Sequence, residues 1–93
     1  MSYSKSLPEQ MRSEIERELR AAAEEVCARA HDLCKDPLLA AQINYKVYRT
    51  NDTIDVEITG PVATKEYLLQ AFEELKPNFK GYVVRAIEKA IKG

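Results

Sequence analysis

The sequence predicts an α+β domain in the order helix, strand, strand, helix, helix, and three observations predict it. Residues 42–59 read as a β-hairpin, a long amphipathic stripe precedes them, and two apolar stripes separated by Pro77 follow. At 93 residues the chain makes one domain, residues 1–93, with a modest core.

The hairpin organises the rest. Ile43, Tyr45 and Val47 alternate with Asn44, Lys46 and Tyr48, and Ile54, Val56 and Ile58 alternate with Asp55, Glu57 and Thr59, so one face is apolar. A tight turn at Asn51-Asp52, both of which tolerate positive φ, sets Val47 opposite Val56, Tyr45 opposite Ile58 and Lys46 opposite Glu57. Two strands alone are marginal in water. Helices must therefore cover the apolar face, while both edges stay open to another chain.

Residues 1–5 read as a disordered start, and Ser6-Leu7-Pro8-Glu9 as an S-x-x-E capping box. Met11, Ile15, Leu19, Ala22, Val26, Ala30 and Leu33 then form one stripe of a helix predicted to run to Lys35, where Asp36-Pro37 stops it. Such a helix is roughly 40 Å long, whereas a compact domain of this size is about 25 to 30 Å across. One end is expected to project, which makes Met11, Ile15 and Leu19 candidates for a partner surface; the alternative is that the whole stripe lies on the chain's own core. Residues 36–41 form a connection with room for one helical turn capped by Asp36.

Gly60-Pro61 ends the second strand, because proline cannot donate to the ladder. Thr64 is placed to cap a helix over residues 65–76 with Leu68, Ala71, Phe72 and Leu75 on one side. Pro77 either starts a new helix or kinks a continuous one, and with Gly81 it predicts a bend over residues 76–81. Phe79, Val83, Ile87 and Ile91 carry the last stripe.

Composition excludes several function classes. With 14 basic and 15 acidic side chains and a net charge of −1, no broad field favours nucleic acid or an anionic membrane. Lys76, Lys80, Arg85, Lys89 and Lys92 make the C-terminal end mildly basic, but no stacking platform accompanies them, and lysines favour helix C-termini in any case. No apolar run approaches a membrane span, and the polar start lacks the apolar core of a signal peptide, so a cytosolic site of synthesis and reduced thiols are expected.

The sharpest local pattern is Cys27, His31 and Cys34, which at i, i+4 and i+7 of a continuous helix share one face and carry zinc-type donors. A fourth ligand is missing, and cysteine often serves as a small hydrophobe, so no metal and no cofactor is expected. A disulfide between Cys27 and Cys34 within a helix is excluded by a separation of about 10.5 Å. A Cys/His nucleophile lacks a glycine-rich oxyanion turn and a second histidine, and the glycines at 60, 81 and 93 form no phosphate-cradling loop. The expectation is a protein without catalytic residues.

The phrase Tyr67-Leu68-Leu69-Gln70-Ala71-Phe72-Glu73, then Lys76-Pro77, then a closing stripe ending in Ala86-Ile87-Glu88-Lys89-Ala90-Ile91, resembles the C-terminal end of small tail-completion or neck proteins of long-tailed bacteriophages. The opening Leu7-Pro8-Glu9-Gln10-Met11, followed by an Ala/Glu/Arg helix, a proline-containing connection and strands, is similar in layout. Two family segments have no counterpart: Asp36-Pro37-Leu38-Leu39 stands where a Pro-x-x-Thr-Gly-x-Leu phrase is usual, and an aromatic, Glu-x-Gly-Thr segment before the last helices is missing. The resemblance implies a non-enzymatic virion or prophage assembly protein, present in the bacterial cytoplasm or incorporated in the virion, and forming homo-oligomers or joining neck and tail proteins. Candidate interface residues are Met11, Ile15, Leu19, Tyr48, Phe79, Val83 and Ile87, with the hairpin edges. The competing expectation is a small regulatory module, inhibitor or antitoxin-like, that occludes a partner protein.

Overall fold

The computed structural model describes residues 8–50 and 53–92. The chain is α+β: α1 (Glu9–Leu33), a single-turn α2 (Pro37–Ala40), β1 (Asn44–Arg49), β2 (Ile54–Thr59), a 3-10 turn (Val62–Thr64), α3 (Lys65–Leu75), a second 3-10 turn (Lys76–Asn78) and α4 (Gly81–Lys92). The expected disordered start, Ser6 of the expected capping box, and the turn residues Asn51 and Asp52 lie outside the described residues.

The strands pair antiparallel in the expected register, with Val47 opposite Val56, Tyr45 opposite Ile58 and Lys46 opposite Glu57. Alternation explains why. A slip by one residue would carry either Val47 of β1 or Ile54 and Ile58 of β2, all buried, to the solvent face and bring Lys46 or Glu57 inward. The Thr50 N–H donates to the Thr53 carbonyl at 2.9 Å, closing the ladder at the tip.

Helix α1 lies beneath both strands, and α4 packs mainly against β2. The buried stripe of α1 is Ile15, Leu19, Ala22, Ala23, Val26 and Ala30. Alanines at 22, 23 and 30 keep that face low, which lets α3 settle closely on α1 with Leu68, Ala71 and Phe72 inward. From α4 come Val83, Ala86, Ile87 and Ile91. These side chains and the inner face of the hairpin form one core, in which Phe72 is the largest buried side chain.

Of the two alternatives for α1, the structure shows the stripe lying on the chain's own core rather than an overhang. The molecule is elongated, 43 × 24 × 18 Å, with its long dimension matching a 25-residue helix. The hairpin runs back along the amino-terminal half, so Ile15 and Leu19 are covered and only Met11 stays largely exposed, at 47%. Compactness scaling describes a rounder body than this pairing of one long helix with one hairpin allows.

The helix ends also differ in detail. Pro8 sits at the start of α1 with no side-chain cap, its carbonyl accepting from the Arg12 N–H at 3.0 Å. At the other end α1 stops at Leu33 rather than Lys35, because Cys34 is already extended (φ −78°, ψ 118°), as is Asp36 (φ −97°, ψ 110°) ahead of Pro37. Asp36 caps α2 as expected, Oδ1 accepting from the Leu38 N–H at 2.9 Å and the Leu39 N–H at 3.4 Å. Thr64 does not cap α3. Its hydroxyl donates instead to the Pro61 carbonyl at 2.6 Å, closing the turn that precedes the helix. Pro77 breaks the C-terminal helices apart, and the expected bend is the 3-10 turn over Lys76–Asn78.

Candidate interaction surfaces

The cysteine and histidine pattern does not converge on a site. Cys34 leaves the helix, is buried, and its thiol donates to the Asp36 carbonyl oxygen at 3.5 Å, while His31 points to solvent. The shared face required a helix that continued through Cys34, and α1 ends one residue before it. Among the described residues no group of three or more His, Cys, Asp or Glu side chains could hold a metal ion. Burial pushes the Cys27 thiol up to about 11, so it is held protonated at neutral pH, the opposite of what a nucleophile needs.

The expected interface residues divide into two groups. Leu19 and Ile87 are fully buried and Ile15 and Val83 nearly so; all four belong to the chain's own core and offer nothing to a partner while that core stays closed. Each sits where its element meets another: Ile15 and Leu19 beneath the hairpin, Val83 and Ile87 between α4 and its neighbours. Phe79 is half-buried beside a groove between α1 and the start of α4, where Lys80 Nζ donates to Glu18 Oε1 at 2.8 Å. That pairing raises the Lys80 pKa above its ordinary value. Met11 and Tyr48 are exposed, at 47% and 40%.

Two exposed apolar residues were not among those expected. Leu38 on α2 and Val62 on the first 3-10 turn are 78% and 91% exposed, and these two elements lie against each other at one end of the molecule. Sequence alone offered a weak signal for them: Leu38-Leu39 follows a proline outside any stripe, and so does Val62.

The sheet supplies the third surface. Among the described residues it has two strands, each with one unpaired edge, and the face away from the helices is polar, formed by Asn44, Lys46, Tyr48, Asp55, Glu57 and Thr59. Because Thr50 and Thr53 form a hydrogen-bonded pair, the bonded pairs alternate along the ladder as Tyr48 with Asp55, Lys46 with Glu57 and Asn44 with Thr59. The N–H and C=O groups of Tyr45, Val47 and Arg49 therefore point outward from β1, and those of Ile54, Val56 and Ile58 outward from β2. Among the described residues, no backbone bond outside the hairpin reaches any of these six.

No family, curated protein or solved structure matches the chain. No helix of the described residues is long and apolar enough to cross a membrane.

Proposed function

We propose that this protein is a non-enzymatic assembly component of a phage or prophage particle, of the tail-completion or head-to-tail joining kind, that acts by oligomerising and by contacting neighbouring structural proteins. The observation that carries the assembly part is the two-stranded sheet which, among the described residues, has an unpaired edge on each strand and sits above a closed core. Unpaired edges are ready templates for another chain. Leu38 and Val62 add a second attachment point, since exposed apolar side chains on adjacent elements favour a protein partner. The phage part rests on the resemblance at residues 67–79 and in the closing stripe.

Native mass measurement of the purified chain, alone and mixed with the products of the genes that flank its own, tests this reading, with capsid or tail proteins expected among them. Stable complexes with those neighbours are the expected result. A chain that binds none of them, and instead blocks a toxin or nuclease encoded next to it, would replace the proposal with the occluding-inhibitor reading.

A further inference from the structure

We infer that two copies of this chain pair through the outer edge of β1, in one register, to make a continuous four-stranded antiparallel sheet. This deepens the assembly reading by naming the first partner, a second copy, and it rests on the protein-contact part of that reading and not on its phage part.

The hydrogen-bonding parity of the hairpin limits the registers. Only Tyr45, Val47 and Arg49 present outward N–H and C=O groups on β1, so a two-fold antiparallel partner must set these odd-numbered residues opposite one another. Two registers keep most of the strand paired. One is centred on Lys46 and stacks Lys46 on its own copy, a like-charge pair directly across the strands. The other is centred on Val47. It sets Lys46 opposite Tyr48 of the second copy and Tyr45 opposite Arg49 of the second copy, so each cation meets an aromatic ring. Lys46 and Tyr48 already meet this way within one strand, with Nζ 5.7 Å from the ring centroid.

The β2 edge is less suited to self-pairing. Its outer face carries Asp55 and Glu57, and a two-fold centred on the intervening Val56 sets one against the other. In addition, α4 packs on the β2 side of the hairpin, whereas α1 lies beneath both strands.

Helix spacing agrees with pairing through β1. Joining two hairpins edge to edge separates their centres by two strand spacings, about 9.6 Å. Helices centred beneath the two hairpins would stand the same distance apart, inside the roughly 8–10 Å at which helices pack. The flank of α1 beside β1 is marked by Glu16, whose Oε1 lies 3.4 Å from Arg49 Nε, and by Arg20, which bonds Glu16 at 3.1 Å. The two-fold lies perpendicular to the sheet, so both helical layers stay on the same side and the polar faces merge into one surface.

Tyr48 provides the test, because its replacement acts differently on the fold and on the pair. Tyr48→Lys faces Asp55 within the hairpin, which offsets the lost contact with Lys46 of its own strand, but meets Lys46 of the second copy at both symmetry-related positions. Tyr48→Glu faces Asp55 unfavourably and meets Lys46 of the second copy favourably. Sedimentation over a concentration series should show a wild-type dimer, a dissociation constant raised about ten-fold or more by Tyr48→Lys, and one lowered by Tyr48→Glu. Circular dichroism and thermal unfolding check that both variants stay folded. Amide exchange should show Tyr45, Val47 and Arg49 protected in step with dimer formation. A wild-type chain that remains monomeric overturns the inference, with those amides open or covered by the chain itself; so does a dimer indifferent to both substitutions. A monomer that still binds tail or capsid proteins sinks only this pairing, and a dimer that binds none of them sinks only the proposed function.

Discussion

The two ends of the hairpin are held in different ways. At the base, Ile43 and Ile58 are buried, Leu68 packs into the same core, and Gly60 leads into a turn closed by Thr64, which is wholly buried. At the tip, Ile54 is also buried, but the surrounding contacts are polar and near solvent. Arg49 bonds Glu9 at 2.6 Å, the Arg12 guanidinium donates to the Thr50 carbonyl at 2.8 Å, and the Thr50 and Thr53 hydroxyls meet at 2.8 Å. The base is held by shape, whereas the tip adds polar and charged contacts to one buried isoleucine. Shape complementarity is insensitive to salt and intolerant of added atoms, whereas surface ion pairs are weak and screened.

The largest effects are expected from the two isoleucines, one at each end. Ile58→Ala and Ile54→Ala should each destabilise the protein by about 2–5 kcal/mol, read as a lowered urea midpoint with an unchanged slope. Equal losses would mean that the core holds both ends of the hairpin and that the polar contacts at the tip are additions to it. A much smaller loss for Ile54→Ala would mean that the tip frays independently of the core, and the comparison would then have to be redrawn as ordered base against loose tip.

A glycine tests the base next. A Cβ at position 60 would stand 2.6 Å from the Thr64 hydroxyl oxygen, which is anchored by its own bond to the Pro61 carbonyl, so neither atom has room to move. Gly60→Ala should cost about 1–3 kcal/mol. Adding Thr64→Ala removes the obstructing oxygen, so the double variant should lose less than the sum of the two single losses. Strict additivity, measured by denaturant unfolding of the four proteins, would show that the close approach is relieved by backbone movement and that the base is more plastic than its burial suggests.

How much of this was legible in the sequence follows the same division. Strand register was legible because alternation has a period of two, and both the apolar set and the Lys46–Glu57 pair demand one alignment. The helical stripes and the break at Pro77 were legible for the corresponding reason. The fate of Ile15, Leu19, Val83 and Ile87 was not, since periodicity identifies an apolar face without saying what lies on it; the hairpin folding back over α1 decided the matter for the first two. Thr64 was misassigned as a cap because a threonine hydroxyl can serve the turn before a helix as readily as the helix itself, and only Pro61 coming within 2.6 Å selects the turn. The Cys27, His31 and Cys34 pattern dissolved over one residue of helix length. Leu38 and Val62 belong to no stripe, and their exposure depends on two short elements meeting at one end.

The smallest effect belongs to the tip and carries a distinctive signature. Arg49 is bonded to Glu9 and lies 3.4 Å from Glu16, and its hydrogen bond to Glu9 is the main reason that the Glu9 carboxyl is held below the usual carboxylate range. A carboxyl with a lowered pKa in the folded state stabilises the fold above its unfolded pKa, and that contribution is lost as pH falls through the folded value. Arg49→Ala should therefore lower stability only slightly at neutral pH and low salt, since exposed ion pairs are weak. The difference from wild type should shrink in about 1 M salt, where the screening length falls to about 3 Å, and shrink again in acid as Glu9 is protonated. Urea midpoints of the two proteins across salt and across pH 2 to 7 measure both trends. A difference that persists undiminished under both conditions would mean that the stem of Arg49 holds the tip by packing against α1, and the two ends of the hairpin would then be fixed by the same force.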